Sequence, residues 1–332
     1  MLAELTTLRL GGPAKRVATA DTTAELVDLV RKADAAGEPV LIVGGGSNLV
    51  VADAGWDGLV LLVRHRKIDV EETPDTVILT ADAGVVWDEL VALSVERGWS
   101  GLASMSGIPG LAGATPVQNV GAYGSEVADV LTGLTVLDRE SGELERWDPA
   151  RCGFGFRTSA FKHTDRYVVL DVTFELPKSP AAPPVRYLEL ARRLGIEPGD
   201  TAPSKEVREV VLDLRRSKGM VLDPADHDTW SVGSFFVNPF VPAELVPDGC
   251  PHWEVDGQLK LSAAWLIEHS GFTRGYGWEH VAVSGKHTLA LTNRGGGTTA
   301  ELLDLAREIR DGVERRFGIR LRPEAHLIGV LL

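Results

Sequence analysis

The sequence predicts an α+β fold built from two or three subdomains. Its 332 residues exceed one typical domain and correspond to roughly two. A helix, a strand, a glycine turn and a second strand follow one another before residue 64. Strands then alternate with turns up to about residue 176, and the last third mixes helices with short strands. This order of elements is typical of α+β proteins.

The first helix is predicted from a capping box. Thr22 stands three residues before Glu25, a spacing at which each side chain can accept from the other residue's backbone N–H. Apolar residues recur at helical spacing over residues 26–33. Gly37 marks the end of this helix, because glycine readily takes the positive φ with which helices terminate.

Strands are predicted where short apolar runs meet turn residues. The clearest is residues 40–43 (VLIV), which the glycine run at residues 44–46 interrupts. The apolar segment at residues 321–332 is predicted as a C-terminal strand. Further strands are predicted at residues 59–63, 77–80, 135–138, 168–176, 281–284 and 289–292.

Four later helices complete the pattern, and a proline-rich segment at residues 178–184 is interpreted as a connection. The last helix opens with a second capping box, formed by Thr298 and Glu301. The helices are predicted at about residues 86–97 (ended by Gly98), 204–216 (charged on one face), 263–269 and 300–317.

Composition excludes several classes of function. The formal net charge of −13 produces the wrong field for binding nucleic acid. Two cysteines, Cys152 and Cys250, are too few for a disulfide framework, and the eight histidines show no metal-ligand spacing. Neither a signal peptide nor an apolar run of about 18 residues is present. We therefore expect a cytoplasmic protein without a metal, a nucleic-acid partner or a membrane segment.

Glycine is enriched, at 36 of 332 residues, and two glycine-rich segments carry candidate chemistry. Residues 44–48 (GGGSN) follow an apolar strand, so successive N–H groups can converge on a phosphate. A plain tight turn is the alternative, and it is favoured for this segment taken alone. Residues 106–124 are small and almost uncharged, with Ile108 and Val117 able to pack on a ring. This favours a buried cofactor wall over a solvated loop.

Three polar residues stand in unusual surroundings. Arg157 lies among aromatic residues, where it suits a carboxylate or phosphate, although a structural salt bridge is equally compatible. Ser234 lacks the Gly-x-Ser-x-Gly pattern of a hydrolase nucleophile and is interpreted as a proton donor or a capping serine. Glu324 lies in the apolar C-terminal segment, where a single glutamate is more often paired structurally than catalytic.

Taken together and in order, these segments resemble the UDP-N-acetylenolpyruvoylglucosamine reductase family, flavoenzymes that make UDP-N-acetylmuramate for peptidoglycan. Each match is weak alone, but six collinear matches over nearly the whole chain are strong. The carriers are residues 6–12, 44–49, 108–124, 156–162, 233–239 and 323–324.

The resemblance implies an FAD-binding fold of the vanillyl-alcohol-oxidase type. The fold would comprise two α/β FAD subdomains (residues 1–63 with 321–332, and 64–217) and, in addition, a substrate-binding α+β subdomain (218–320). The C-terminal strand would return to the first subdomain. Non-covalent FAD would be held by Gly44, Gly45, Gly46, Ser47, Asn48, Leu49, Ile108, Pro109, Gly110, Gly113, Thr115, Gln118, Asn119, Gly121 and Ala122.

The family chemistry implied is reduction of the enolpyruvyl ether of UDP-N-acetylglucosamine by NADPH through FAD. Arg157 and Glu324 would stabilise the charge that develops on the substrate carboxylate, and Ser234 would donate a proton to carbon. The insert around Tyr187 resembles the family's longer class, which closes a tyrosine loop. The residues implied to hold the substrate are Tyr123, Tyr187, Lys218 and Asn238.

One position departs from the family, and two other functions remain open. His326 stands where the family often has arginine, so any contact made by that arginine is in doubt here. The alternatives are another flavin oxidoreductase of the same fold and a catalytically silent nucleotide-binding module. Neither needs Arg157, Ser234 and Glu324 together. A monomer is expected.

Overall fold

The computed structural model describes residues 1–255 and 257–332. No helix in those ranges is long and apolar enough to cross a membrane. Short 3₁₀ turns, including Ala112–Gln118 and His227–Thr229, connect several of the regular elements. The α-helices are α1 (Thr23–Ala35), α2 (Trp87–Glu96), α3 (Pro149–Cys152), α4 (Leu188–Leu194), α5 (Ser204–Ser217), α6 (Ala263–His269) and α7 (Thr299–Phe317).

The strands are mostly short, and the longest belong to one antiparallel sheet. In chain order they are β1 (Ala14–Ala20), β2 (Val40–Val43), β3 (Leu49–Val51), β4 (Trp56–Val63), β5 (Ile68–Glu72), β6 (Thr76–Asp82), β7 (Gly121–Ala122), β8 (Ser125–Glu126), β9 (Leu131–Asp138), β10 (Leu144–Trp147), β11 (Tyr167–Pro177), β12 (Phe240–Val241), β13 (His252–Val255), β14 (Gln258–Leu261), β15 (Val281–Val283), β16 (Leu291–Asn293) and β17 (His326–Ile328).

The chain divides into two compact units. The first unit comprises Met1–Ala14, Gly46–Trp56 and Ser217–Leu332, and the second comprises Lys15–Gly45 and Asp57–Arg216. Each unit is therefore assembled from segments that are distant in sequence, and each has its own buried apolar core.

Two sheets organise the second unit. One has the strand order β1-β4-β2, with β2 and β4 parallel, and it packs with α1 through Leu26, Val30 and Leu59. The other has the order β10-β9-β11-β6-β5, with antiparallel neighbours throughout. Its core includes Trp87 of α2, which is fully buried and packs edge-on against Phe174 at a ring-centroid distance of 5.9 Å.

A bidentate ion pair connects α5 to α2 in the second unit. The two Nη atoms of Arg208 donate to the Asp88 carboxylate at 2.6 and 2.9 Å. The same carboxylate accepts the Gly107 N–H at 2.6 Å, so one side chain at the start of α2 fixes both α5 and a loop. The hydrogen bonds from Arg208 and Gly107 outweigh the cost of burial and lower the pKa of Asp88.

The first unit has a core between α6, α7 and short strands, centred on Phe235, Leu302 and Ile309. Strand β17 runs parallel to β3, with His326 opposite Leu49 and Ile328 opposite Val51. The predicted return of the C-terminal segment to the N-terminal region is thus observed in the backbone pairing.

The backbone N–H groups at the N-terminus of helix α7, in the first unit, are capped by two sets of side chains. The capping box of Thr298 and Glu301 is present as predicted. In addition, the Asp53 carboxylate accepts the backbone N–H groups of Thr299 and Ala300 at 2.8 and 2.9 Å. Because the first N–H groups of a helix have no partner within it, this aspartate both caps α7 and ties it to the segment after β3.

The predicted helices and buried strands are confirmed within a few residues, but one predicted strand is wrong in extent. Only residues 326–328 of the segment 321–332 are a regular strand. Pro323 has no N–H to donate, and Gly329 has a φ of +68°, so the chain leaves the strand conformation after Ile328. The sequence patterns also missed β1, β5 and β13, whose largely exposed residues lack an apolar run.

Candidate functional site

Two glycine-rich loops of the second unit are in direct contact. The loop after β2 contains Gly44 and Gly45, and a Cβ atom on Gly45 would lie 2.8 Å from the Cα of Gly110. Gly110 itself has a φ of +122°, a conformation that residues with side chains rarely adopt. The structure therefore brings together two of the segments predicted to hold a dinucleotide, at a separation that only glycine allows.

The second of these loops is firmly attached along its length. The Ala112 N–H donates to the Val85 carbonyl at 2.8 Å, and the Gly113 N–H donates to the Ala83 carbonyl at 3.0 Å. A Cβ on Gly113 would lie 2.3 Å from the Ala83 Cβ. Thr115 is buried and donates to the Ala112 carbonyl at 2.7 Å. These contacts show that the segment is packed against the protein and is not a solvated loop.

Asn119 uses its side chain within the second unit. Its Nδ2 donates to Glu126 at 2.6 Å, and its Oδ1 accepts the Ala128 N–H at 3.0 Å. The residue is 1% exposed and has a φ of +45°. It thereby fixes the turn between the 3₁₀ segment and the β7–β8 hairpin, which carries the predicted residues Gly121 and Ala122.

Arg157 is held against the same hairpin. Its Nη2 donates to the Gly121 carbonyl at 2.7 Å, and its guanidinium carbon lies 5.4 Å from the centroid of the Phe156 ring. Lys162 in turn donates to the Arg157 carbonyl at 2.7 Å. Since Arg157 has a φ of +54°, its backbone adopts a left-handed conformation that these contacts help to maintain.

Two tyrosines that the sequence places 64 positions apart meet edge to face. The rings of Tyr123 and Tyr187 have centroids 5.4 Å apart and planes at 90°. Burial raises the pKa of Tyr123 to about 12, and burial also raises the pKa of Tyr187. A tyrosine is already neutral at physiological pH, and these shifts move ionisation of both phenols to still higher pH.

In the first unit, the end of the GGGSN segment meets the C-terminal segment. Gly46 has a φ of +61°, and a Cβ there would lie 1.9 Å from the Leu5 carbonyl oxygen. Asn48 Nδ2 lies 3.4 Å from the Glu324 carbonyl oxygen, and the His326 N–H donates to the Asn48 carbonyl at 2.9 Å. The backbone of His326 is therefore structural, while its side chain is exposed.

Ser234 and Glu324 are brought together by backbone pairing. The Phe235 N–H donates to the Leu289 carbonyl at 2.7 Å, and the Phe235 carbonyl accepts the Glu324 N–H at 2.8 Å. Ser234 forms a β-bridge with Ala290. Two candidate catalytic residues, 90 positions apart in sequence, thus lie on segments that are joined by a backbone hydrogen bond.

Asn238 and Lys218 lie at the ends of helices. The Asn238 Oδ1 accepts the N–H of Ala263, the first residue of α6, at 2.9 Å. Lys218 is half-buried and follows the last residue of α5, next to Gly219 with a φ of +66°.

Comparison with known proteins identifies the family. Residues 14–148 match an FAD binding domain, and residues 223–328 match the UDP-N-acetylenolpyruvoylglucosamine reductase C-terminal domain. The protein of that name from Thermobifida fusca (strain YX) is 52% identical, over 100% of this chain and 97% of the relative. The one from Nocardia farcinica (strain IFM 10152) is 53% identical, over 100% and 89%. This chain belongs to the UDP-N-acetylenolpyruvoylglucosamine reductase family.

A solved structure of this reductase family shares the fold. The enzyme from Thermus caldophilus is similar with a TM-score of 0.69 at 24% identity, and the match covers 99% of this chain and 97% of that one. Together with the FAD binding domain, it confirms the predicted fold class, an FAD-binding α+β fold.

Candidate residues of the reductase family occur in both units. The second unit carries Gly44, Gly45, Ile108, Pro109, Gly110, Gly113, Thr115, Gln118, Asn119, Gly121, Ala122, Tyr123, Arg157 and Tyr187. The first unit carries Gly46, Ser47, Asn48, Leu49, Lys218, Ser234, Asn238 and Glu324.

Asn293, which no sequence pattern predicted, connects the N-terminal segment with the stretch that precedes Ser234. Asn293 is 3% exposed, and its Nδ2 lies 3.2 Å from the carbonyl oxygens of both Leu8 and Arg9. Its Oδ1 accepts the Gly295 N–H at 2.9 Å, and its own N–H donates to the Trp230 carbonyl. An asparagine that ends an apolar strand was the available signal, because a buried amide needs several partners.

Proposed function

We propose that this chain catalyses the NADPH-dependent reduction of UDP-N-acetyl-3-O-(1-carboxyvinyl)-glucosamine to UDP-N-acetylmuramate through FAD. The reaction belongs to peptidoglycan precursor synthesis. The observation that carries the proposal is the pairing of the Ser234 and Glu324 segments within the residues that match the reductase C-terminal domain. A silent nucleotide-binding module would have no need of this arrangement.

The chain offers a suitable environment for FAD. The contact between Gly45 and Gly110 leaves no space for side chains at this point, and a loop of successive glycines such as the one after β2 can turn its backbone N–H groups toward a diphosphate. The segment 108–117 supplies the apolar Ile108 and Val117 for a ring. FAD, when bound and reduced by NADPH, supplies the hydride that the enolpyruvyl double bond receives.

The catalytic roles of the side chains follow from their charge and from their ability to donate a proton. By resemblance to the reductase family, Arg157 and Glu324 stabilise the negative charge that develops on the substrate carboxylate as the hydride arrives. Such groups stabilise developing charge most strongly when water is excluded. Ser234 donates a proton to the carbon next to the one that receives the hydride, which completes the D-lactyl ether.

The UDP-sugar is held by neutral donors and one cation. Tyr123 and Tyr187 keep their phenolic protons at physiological pH, as ordinary tyrosines do, and burial raises the pKa of each further. Asn238 contributes its amide NH₂ group, and Lys218 provides a point charge for the diphosphate. The three-subdomain division, a monomeric state and a cytoplasmic location belong to the same proposal.

The direct test is turnover of the purified protein. With NADPH and the enolpyruvyl UDP-sugar, we expect consumption of NADPH and a product heavier by one hydride and one proton. Mass spectrometry identifies that product. Oxidation of NADPH that is independent of the UDP-sugar, with oxygen as the only acceptor, would instead support a flavin oxidase.

The protein should purify yellow, with FAD that is not covalently attached. Both cysteines are buried, and burial raises the pKa of Cys152 to about 11 and also raises that of Cys250. Since the thiolate is the reactive form, neither is suited to attack a flavin. Acid precipitation should leave the flavin in the supernatant. Flavin that stays with the polypeptide, or a colourless protein, would contradict this expectation.

Lys218→Ala should weaken binding of the UDP-sugar far more than binding of NADPH. A charge-assisted hydrogen bond contributes ~1.5–3 kcal/mol, so we expect the KM for the UDP-sugar to rise by about tenfold or more. Steady-state kinetics with each substrate varied in turn provides the measurement. Lys205→Ala, which removes an exposed charge on α5, is the control. An equal rise in both KM values would show that Lys218 has been assigned wrongly.

A further inference from the structure

Arg64 lies at an edge of the second unit where ligands are expected. It directly follows β4, and β4 is parallel to β2, with Val43 opposite Leu62. Their carboxyl ends therefore meet at one edge of the sheet, and in open sheets of this kind ligands bind outside such edges. The loop containing Gly44 and Gly45 leaves β2 at this edge, beside Arg64.

Hydrogen bonds hold the guanidinium of Arg64 against that loop. Its Nη1 donates to the Gly44 carbonyl at 3.2 Å and to the Val63 carbonyl at 2.7 Å. Both bonds use the same nitrogen, and Nε and Nη2 form no hydrogen bond with residues 1–255 or 257–332, so they can donate to another acceptor. The side chain is thus fixed in place by neutral backbone groups.

Arg64 has no ion-pair partner among residues 1–255 and 257–332. Burial lowers the pKa of Arg64, and the nearby positive charge of Arg66 lowers it further, while Asp21 acts in the opposite direction. Partly buried guanidinium groups are normally paired with carboxylates or phosphates. An anion supplied by a ligand would complete this environment.

We propose that Arg64 binds a phosphate group of FAD, and the inference rests on the proposed function. The diphosphate of FAD is the group best suited to a site formed by glycine N–H groups and a guanidinium, since Arg binds phosphate through paired N–H donors. The loop residue Gly45 is exposed, so a ligand can reach it. The 2′-phosphate of NADPH has the same chemistry and is distinguished by the test.

The experiment compares Arg64→Gln with Arg66→Gln, which removes an equal charge from an exposed neighbour. The Kd for FAD is measured by diluting each holoenzyme and following the fluorescence of released flavin. We expect Arg64→Gln to weaken FAD binding by about 10- to 100-fold, as for one charge-assisted contact, and Arg66→Gln by less than about threefold. The preference for NADPH over NADH should be the same in both variants.

Several outcomes would overturn the proposal. Equal FAD affinity in the two variants would show that Arg64 makes no specific contact. An unchanged Kd for FAD with a lost preference for NADPH over NADH would assign Arg64 to the 2′-phosphate. If Arg64→Gln fails to fold, Arg64→Lys retains the charge but loses the paired donors, and it should still weaken FAD binding measurably. A wild-type protein without FAD would overturn the proposed function itself, whereas these outcomes would not.

Discussion

Ser234→Ala should slow the second half of the catalytic cycle and leave the first half unchanged. Reduction of FAD by NADPH delivers no proton to carbon, so the rate of flavin bleaching should stay near that of the wild type. Reoxidation by the enolpyruvyl UDP-sugar requires protonation of carbon, and the loss of a positioned general acid typically costs about 10²–10⁴-fold. Water admitted into the slightly larger cavity would place the loss near the lower limit.

Stopped-flow absorbance measures the two half-reactions separately. Ser270→Ala is a suitable control, because it removes a hydroxyl of the same unit that donates to the Leu266 carbonyl of its own helix at 2.8 Å. It should leave both steps unchanged. Equal slowing of both steps by Ser234→Ala would make Ser234 a packing or cofactor-positioning residue. If neither step slows, the proton comes from another group, and Glu324 is the first candidate.

Gly46→Ala should destabilise the protein severely. An added Cβ would lie 1.9 Å from the Leu5 carbonyl oxygen and 2.9 Å from the Thr6 Cα, both of them backbone atoms. Relieving such overlap costs about 1–3 kcal/mol in most proteins, and the φ of +61° adds about 1–2 kcal/mol for any residue with a Cβ. We therefore expect the free energy of unfolding to fall by about 2–5 kcal/mol and FAD to be lost on purification.

A matched variant separates the two contributions. Gly37 has a φ of +64°, and no atom of the described chain lies within 4 Å of the position that its Cβ would occupy. Gly37→Ala should therefore show the conformational cost alone, about 1 kcal/mol, in urea denaturation. Similar losses of stability in the two variants would mean that the segment around Leu5 can move aside.

Local signals in the sequence predicted most of the regular structure. The capping box at Thr298 forms in full, because a cap depends only on residues within one helical turn. At Thr22 only half of the predicted box forms: the Thr22 side chain accepts the Glu25 N–H, whereas the Glu25 carboxylate accepts the N–H of Asp21. The apolar runs that became β2 and β11 are buried and were predicted for that reason. Strand β1 was missed, since most of its side chains are exposed and it lies at the edge of its sheet.

The geometry of the candidate site was harder to predict from the sequence, because it depends on pairing between distant segments. Nothing in the residues around Ser234 or Glu324 encodes the hydrogen bond between Glu324 and Phe235; only the resemblance to the reductase family placed the C-terminal segment near the N-terminal region. The contact between Gly45 and Gly110 likewise joins two loops, and neither loop's sequence indicates that the other lies beside it. No sequence pattern indicated a role for Arg64, because its hydrogen-bond partners are backbone carbonyls, which every residue has.

The pairing of β17 with β3 also fixes the order in which the molecule is completed during synthesis. Asn48 and the Glu324 carbonyl that it contacts are 276 residues apart, so at ~5–20 residues per second the ribosome needs about 14–55 s to bring the second segment out after the first. Throughout that time β3 has no parallel neighbour. The second unit, in contrast, ends at Arg216 and has all its strands before the last third of the chain is translated. The nascent protein thus has the complete chain of the second unit while the first unit is still incomplete. The three-residue length of β3 limits the unpaired strand edge that is exposed during this time.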